Sequence, residues 1–306
     1  MEQTQDLTSE VSESRLANAW AELQAHARDG SALDSDAYRL AFADPEFLLR
    51  RETRGIRFQL EMLKPDLGQS EQGIESTVVV FGSARFPAPE TASASLAAAE
   101  ANLLHLKTAG SNGEALRDAE NVLQLAQRHM RNAHYYDQAR LFARLVAEHS
   151  AKLPLADQLF ICTGGGPGIM EAANRGAHEV GAPTVGLNIV LPHEQSGNKY
   201  ITPSLNFKFH YFALRKMHFM MRAKALVAFP GGFGTLDELF EVVTLIQTGK
   251  AKALPIVLFG SDYWKRLINF DVLIEEGAIS PDDVKLVEYV DEPQAAWDYI
   301  KAFYKL

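Results

Sequence analysis

Six short runs of apolar or β-branched residues, each followed by a turn and then by helical periodicity, constrain the fold of this chain most strongly. They cover residues 77–81, 159–162, 184–189, 225–229, 255–259 and 286–290. Strands that alternate with helices form right-handed βαβ crossovers, which make the strands parallel and cover the sheet with helices on both faces. The sequence therefore predicts an α/β fold with a Rossmann-like, doubly wound and mostly parallel sheet.

A helical extension is predicted ahead of the first strand. Residues 12–64 are amphipathic with helical spacing, interrupted near 29–31 and again at Asp44 and Pro45, where an Asp cap and a Pro in the first turn are typical of a helix start. Glycines and polar residues over 66–75 indicate a connector. We expect residues 1–73 to form this helical N-terminal extension.

The interval from 89 to 153 differs from a minimal crossover because it lacks any strand pattern. It contains two long helical stretches, over 91–106 and about 114–149, separated by a glycine-bearing turn. We expect a Rossmann-like domain over 74–306 that carries a helical insertion over about 89–153. The pattern leaves open whether this insertion enlarges the crossover or provides a surface for self-association.

Composition excludes several functional classes. A net charge of −9 over 306 residues argues against a nucleic-acid-binding surface, which requires clustered Lys and Arg. The single cysteine, Cys162, allows neither a disulfide framework nor a cysteine-based zinc site, and the histidines lack metal-ligand spacing. Residues 1–13 do not resemble a signal peptide and no apolar run approaches a membrane span. We expect a cytoplasmic protein with no metal, no membrane partner and no nucleic-acid partner.

Three of the predicted strands end in loops suited to binding an anion, over residues 82–85, 163–168 and 230–235. Ligands of doubly wound sheets bind beyond the carboxyl ends of the strands, where glycine lets a phosphate approach backbone N–H groups. Neither longer loop is a Walker A motif, and the 164–168 loop imitates the dinucleotide fingerprint only loosely. A phosphorylated ligand is favoured, with tight backbone packing and no ligand as the alternative.

Charged residues accompany the 230–235 loop. Thr235 and Glu238 have the spacing of a capping box for a helix over 236–247, but capping leaves the adjacent Asp237 carboxylate unexplained. Carboxylates beside an anion site require nearby cations. Candidates on one side of a helix over 211–224 are Arg215, His218 and Arg222, with structural salt bridges as the alternative for the two arginines.

These motifs resemble those of the LOG (Lonely Guy) family of phosphoribohydrolases, long described as possible lysine decarboxylases. The family's Pro-Gly-Gly-x-Gly-Thr-x-x-Glu motif is complete at residues 230–238, and a Gly-Gly-Gly-x-x-Gly-x-Met type motif occurs at 164–170, one residue shorter. An Arg-Lys pair occurs at Arg215 and Lys216. The similarity extends over about 77–259.

The resemblance implies hydrolysis of the N-glycosidic bond of AMP or a cytokinin riboside 5′-monophosphate, without a cofactor, by a homodimer or larger homo-oligomer. Arg215 and Glu238 match the family's catalytic pair. Gly165, Gly166, Gly168, Gly231, Gly232, Gly234 and Thr235 match its phosphate-binding loops, while Ser83, Met170, Glu171 and Lys216 are implied to contact the nucleotide.

Some features depart from the family pattern. The N-terminal helices and the 89–153 interval are absent from short plant-type members, so AMP is favoured over cytokinin precursors. Asp237 stands where many members have Glu, and no lysine has a setting suited to pyridoxal phosphate. A non-catalytic carrier of a nucleotide or phosphorylated cofactor is the main alternative. A nicotinamide-dependent oxidoreductase is a weaker one.

Overall fold

The computed structural model describes residues 18, 20–110, 112–190 and 196–306. The chain divides into two units, Met1–Glu61 and Met62–Leu306. The first unit contains helix α1 (residues 20–29), two short 3-10 helices (Asp36–Tyr38 and Ala41–Ala43), α2 (Pro45–Leu49) and the start of α3 (Arg54–Glu71). The predicted helix start is confirmed, because the Asp44 side chain accepts a hydrogen bond from the Phe47 amide at 3.1 Å and Pro45 occupies the first turn of α2.

Helix α3 continues to Glu71, so the connector predicted over residues 66–75 is wrong for 66–71. Gly68 lies against the Phe207 ring, and Gln69 is buried with its side-chain amide donating to the Pro65 carbonyl at 3.1 Å. These contacts within the second unit outweigh the weak helix propensity of glycine. The connector was predicted because of that weak propensity.

The second unit is built on a seven-stranded parallel sheet with the order β4-β3-β2-β1-β5-β6-β7. Its strands are β1 (Thr77–Phe81), β2 (Phe160–Thr163), β3 (Thr184–Ile189), β4 (Asn206–Phe209), β5 (Ala223–Ala228), β6 (Ile256–Phe259) and β7 (Val287–Val290). The chain extends the sheet from β1 to β4 in one direction and from β5 to β7 in the other. The predicted doubly wound α/β fold is confirmed, and its topological switch point lies between β1 and β5.

Helices cover both faces of this sheet. The helices that follow β1 are α4 (Pro89–Thr108), α5 (Glu114–Ser150), α6 (Ile169–His178), α7 (Phe212–Met221), α8 (Phe233–Gln247), α9 (Ser261–Leu267), α10 (Phe270–Glu275) and α11 (Pro293–Tyr304). Helix α4 packs against α5. The long helical insertion after the first strand is confirmed as α4 and α5. Within the described part of the chain, no helix combines the length and the apolar character needed to cross a bilayer.

Alternate residues of the central strand face two separate cores. Val78 and Val80 pack with one core, which includes Phe142 of α5. Val79 and Phe81 pack with the other, which includes side chains of α7, α8 and α9. Burial on both faces explains why the central strands are continuous apolar runs in the sequence.

Strand β4 is absent from the sequence-based prediction. Its four residues, Asn-Phe-Lys-Phe, alternate between exposed and buried and pair only with β3 at the edge of the sheet. A short edge strand needs no continuous apolar run, because one face and one edge remain accessible to water. The pattern therefore provided little signal.

Candidate active site

A cleft of about 620 Å³ lies at the carboxyl ends of β1 and β5. This is the switch point of the sheet, where open α/β folds bind their ligands. The cleft is lined by residues 81–86 after β1, by Met170, Arg215 and Glu238, by the 231–235 turn and by Tyr263. Chain segments that are distant in sequence thus supply one concave surface.

The N-terminus of α8 forms one wall of the cleft. The helix starts at Phe233 with Gly232 as N-cap and without a side-chain cap. Thr235 therefore lies in the first turn, and the capping box predicted for Thr235 and Glu238 does not form. The early start is possible because Gly231 has no Cβ to collide with the Thr235 hydroxyl. Helix geometry leaves the first-turn N–H groups without intrahelical acceptors, so this wall favours an anion.

Gly232 and Gly234 leave space along this wall. A Cβ at either position would meet no protein atom within 4 Å, and neither residue has a positive φ. Both line the cleft. Packing within the described structure does not require glycine at these positions, whereas a ligand seated against the helix N-terminus would.

We expect Gly234→Ala to separate stability from binding. Alanine is favoured over glycine in helices by up to about 1 kcal/mol, so the variant should unfold at the same or a higher temperature. The added methyl group should weaken binding of a nucleoside monophosphate, measured by calorimetry. Gly55→Ala is the matched control, because Gly55 lies in the first turn of α3, is not among the residues that line the cleft, and a Cβ there would also meet no atom within 4 Å. Unchanged affinity in Gly234→Ala would contradict this assignment.

Arg215 of α7 and Glu238 of α8 form an ion pair inside the cleft. The Arg215 Nη1 atom lies 3.1 Å from Glu238 Oε1, and the two side chains are only 9% and 13% exposed. The Nε group of Arg215 donates to the Leu187 carbonyl at 2.7 Å, which fixes the guanidinium from behind. Gly164 leaves room for the pair, because a Cβ there would collide with the guanidinium.

Burial raises the pKa of Glu238 to about 7, with Asp237 acting in the same direction and Arg215 and Lys216 opposing it. The carboxyl group therefore changes its charge near neutral pH. A buried carboxylate with such a pKa can accept a proton from water at physiological pH, and its partner remains a cation because guanidinium does not lose its proton in proteins.

The loop between β2 and α6 is anchored from behind the cleft. The Gly165 amide donates to Thr163 Oγ1 at 3.0 Å, and the carbonyls of Gly165 and Gly166 accept from the Asn198 side chain at 3.2 and 3.1 Å. Gly168 has a φ of +70°, and a Cβ there would collide with the Ser83 carbonyl. These three glycines lie outside the cleft lining, which Met170 reaches from the start of α6.

Of the remaining predicted site residues, one lines the cleft, one faces an adjoining cavity and one lies outside the cleft lining. Ser83 lines the cleft and joins its walls, since its amide donates to the Pro230 carbonyl at 3.0 Å. Glu171 faces an adjoining cavity and accepts a hydrogen bond from the Tyr136 hydroxyl at 2.8 Å. Lys216 lies outside the cleft lining, paired with Asp237 at 2.7 Å and Glu241 at 3.2 Å.

Arg222 does not supply a cation to the cleft, so that prediction is wrong. Helix α7 ends at Met221, and Arg222 lies at the amino end of β5, opposite the cleft. Its guanidinium pairs with Asp66 at 2.5 Å and donates to the Ile74 carbonyl at 2.8 Å, which is the structural role considered as the alternative. His218 is also buried, with its ring 5.2 Å from that of Phe209.

Several residues that line the cleft were missed by the sequence analysis, among them Tyr263, Phe233 and Arg85. The Tyr263 hydroxyl donates to the Gly231 carbonyl at 2.5 Å and so supports the turn before α8. Its position just after β6, the strand beside β5, was the available signal. Phe233 is 92% exposed at the cleft and Arg85 follows β1 directly. Both lie within the predicted anion-binding loops, over residues 82–85 and 230–235.

Cys162 does not supply a nucleophile to the cleft. The thiol is buried in β2, and burial raises its pKa to about 12, so the nucleophilic thiolate is not formed at neutral pH. Within the described residues, no group of three or more His, Cys, Asp or Glu side chains is placed to hold a metal ion.

The fold is that of a doubly wound α/β protein with a cleft at the switch point of its sheet. A family model described as "Possible lysine decarboxylase" matches residues 170–300. The cytokinin riboside 5′-monophosphate phosphoribohydrolase LOG2 of Arabidopsis thaliana is 31% identical over 160 residues, which cover 48% of this chain and 71% of the relative. The chain belongs to the LOG family.

Two further similarities are weaker, one because it covers less of the relative and the other because the sequence identity is lower. The phosphoribohydrolase LOG3 of Arabidopsis thaliana is 34% identical over 122 residues, 39% of this chain and 55% of the relative. The chain thus spans about half the length of several curated relatives that it matches. The molybdenum cofactor carrier protein of Chlamydomonas reinhardtii aligns over 76% of this chain and 98% of its own, with 16% identity and a TM-score of 0.38.

Proposed function

We propose that this protein hydrolyses the N-glycosidic bond of a nucleoside 5′-monophosphate to a free base and ribose 5-phosphate. AMP is the first candidate substrate and a cytokinin riboside 5′-monophosphate the second. The observation that carries the proposal is the buried Arg215 and Glu238 pair, one turn from the open N-terminus of α8 in the same cleft.

The phosphate is placed at the N-terminus of α8. The N–H groups of residues 233–235 and the positive end of the helix dipole favour a dianion there, and Gly232 and Gly234 leave room for it. With the phosphate so held, the ribose lies beside Glu238 on the next turn. The base then extends toward Met170 and the loop after β1, on the other side of the cleft.

Glu238 acts on the water that replaces the base. As the bond between C1′ and the base nitrogen breaks, its electron pair leaves with the base and positive charge develops on the ribose, which the carboxylate stabilises. Water attacks C1′ and gives a proton to Glu238, while the departing base takes up a proton from solvent, to which Glu238 afterwards returns its own. Arg215 positions the carboxylate through their ion pair; the Leu187 carbonyl fixes the guanidinium, and Gly164 leaves room for it.

The family relationship supports this reaction over decarboxylation. The related Arabidopsis proteins are named as phosphoribohydrolases of cytokinin riboside 5′-monophosphates. By contrast, the described cleft is not lined by any lysine that could form a Schiff base with pyridoxal phosphate, and Lys216 is held in ion pairs outside the cleft lining.

The test is incubation with a panel of nucleoside 5′-monophosphates and their parent nucleosides. We expect equal amounts of free base and ribose 5-phosphate from at least one monophosphate, and little hydrolysis of the nucleoside that lacks the phosphate. Tight binding of a monophosphate without turnover across the panel would instead support the carrier function. Hydrolysis of nucleosides as fast as monophosphates would remove the role assigned to α8.

The pH dependence follows from Glu238. Because the reaction needs the ionised carboxylate and burial raises its pKa to about 7, kcat should fall as the pH decreases through about 7 and level off above it. The measurement is base release across the range from weakly acidic to weakly alkaline pH. The residual activity of Glu238→Gln should lack this inflection. A wild-type profile that stays flat through neutrality would contradict Glu238 as the base.

A further inference from the structure

A second cavity of about 640 Å³ adjoins the cleft, and we call it the hairpin chamber. It lies between the loop after β1, the α4–α5 helical insertion and the start of α6. The residues used below are Ala84, Arg85, Leu125, His129, Tyr136 and Glu171, all of which line it. Its size is within the range of about 300–1,000 Å³ that small-molecule sites occupy.

The chamber lies next to the cleft and shares two lining residues with it. Ala84 and Arg85 line both cavities. Met170 lines the cleft and its neighbour Glu171 lines the chamber, so α6 supplies the wall between them. With the phosphate at the N-terminus of α8 and the base toward Met170, the proposed binding mode points a substituent on the base toward the chamber.

The chamber offers both a positive and a negative group. Arg140, Arg175 and Arg215 each form an ion pair, whereas Arg85 makes none with any other residue that the structure describes. The Glu171 carboxylate is held by the hydroxyl of Tyr136, which is only 1% exposed. One carboxylate oxygen accepts that bond, which leaves the other for a ligand N–H.

We propose that the hairpin chamber admits a substituent attached to the base through an N–H group and ending in a carboxylate. Arg85 receives the carboxylate, because a guanidinium matches its two oxygens, and Glu171 accepts from the linking N–H. This inference rests on the proposed function and names its substrate class: nucleoside monophosphates whose base carries an amino-acid-type substituent. Arg85 is then a specificity-determining residue.

Three N6-substituted derivatives of AMP with substituents of similar size test this proposal. N6-carboxymethyl-AMP has the N–H and the carboxylate, N6-propyl-AMP is neutral and N6-(2-aminoethyl)-AMP is positive. We expect kcat/KM for the carboxymethyl compound to exceed that for the propyl compound by about tenfold, as for a charge-assisted hydrogen bond. The aminoethyl compound should be the poorest of the three.

Variants assign this preference to the chamber. Arg85→Ala should reduce the carboxymethyl-to-propyl ratio of kcat/KM to about one, as expected when the charged hydrogen bond is lost. Leu125→Trp should fill the chamber and lower the activity on all three derivatives relative to AMP. Arg128→Ala is the matched control, because Arg128 lies on the same helix as His129 but outside the lining of either cavity, and it should keep the wild-type ratio.

The outcomes separate this inference from the proposed function. If AMP is hydrolysed but kcat/KM is equal for the three derivatives, the proposed role of the chamber is wrong and the proposed hydrolysis stands. If no nucleotide is hydrolysed, the proposed hydrolysis is wrong. The dissociation constants of the same compounds then test whether the chamber binds the carboxylate. A carboxymethyl preference in binding that Arg85→Ala removes would still support the chamber, and equal affinities would overturn it.

Discussion

Replacing Glu238 by Gln is expected to lower kcat for base release by about 10²–10⁴, the range that one acid–base group contributes. Glutamine keeps the shape of the side chain, and its carbonyl can still accept the hydrogen bond from Arg215, which is 3.1 Å from the carboxylate in the wild-type protein. It can neither take a proton from water nor stabilise positive charge on the ribose. Binding of AMP, measured by calorimetry, should persist.

Glu241→Gln is the matched control for this experiment. Glu241 lies on the same helix, but it pairs with Lys216 at 3.2 Å outside the cleft lining. We expect its kcat to stay close to that of the wild type. Wild-type turnover in Glu238→Gln, or an equal loss in both variants, would contradict the catalytic role of Glu238.

Removing the partner, in Arg215→Met, is expected to destabilise the fold as well as to abolish activity. The ion pair is almost fully buried, and loss of one member of such a pair costs about 3–5 kcal/mol when the other remains charged. Without Arg215 the pKa of Glu238 rises further, because burial already favours its neutral form. Denaturant unfolding measures the change in the free energy of unfolding.

The destabilisation should depend on pH in a defined direction. A carboxyl group whose pKa is raised in the folded state contributes stability at low pH, and this contribution is lost as the pH rises through the folded-state pKa. Below the wild-type pKa of about 7, Glu238 is neutral in both proteins, so the loss should be small there and larger in alkaline solution. The double variant Arg215→Met/Glu238→Gln should recover stability but not activity. Equal destabilisation at acidic and alkaline pH would contradict this pH-dependent role of the pair.

The fold was predictable where burial leaves a simple pattern. The central strands are covered on both faces, so they are apolar runs, and the turns after them contain the glycines that the cleft needs. Strand β4 was missed because an edge strand with alternating burial has no such run. The end of α3 was missed because contacts within the second unit stabilise helical residues 66–71 against their local preference.

The candidate site was predictable in part for a similar reason. Arg215 was singled out as a cation on one side of its helix beside the predicted anion site, and the structure pairs it with Glu238. Arg222 was misplaced because its helix ends at Met221 and the chain turns toward β5. Contributions from other elements, such as the hydrogen bond from Tyr263 to Gly231, depend on tertiary packing that helical spacing does not encode.

The most direct test of the proposed hydrolysis is a single-turnover reaction, with the wild-type protein in excess over AMP at weakly alkaline pH. Under these conditions even slow chemistry is visible, and binding without chemistry returns the nucleotide unchanged. We predict one equivalent each of adenine and ribose 5-phosphate per AMP bound. Recovery of bound AMP intact, with neither product formed, would contradict the proposed hydrolysis.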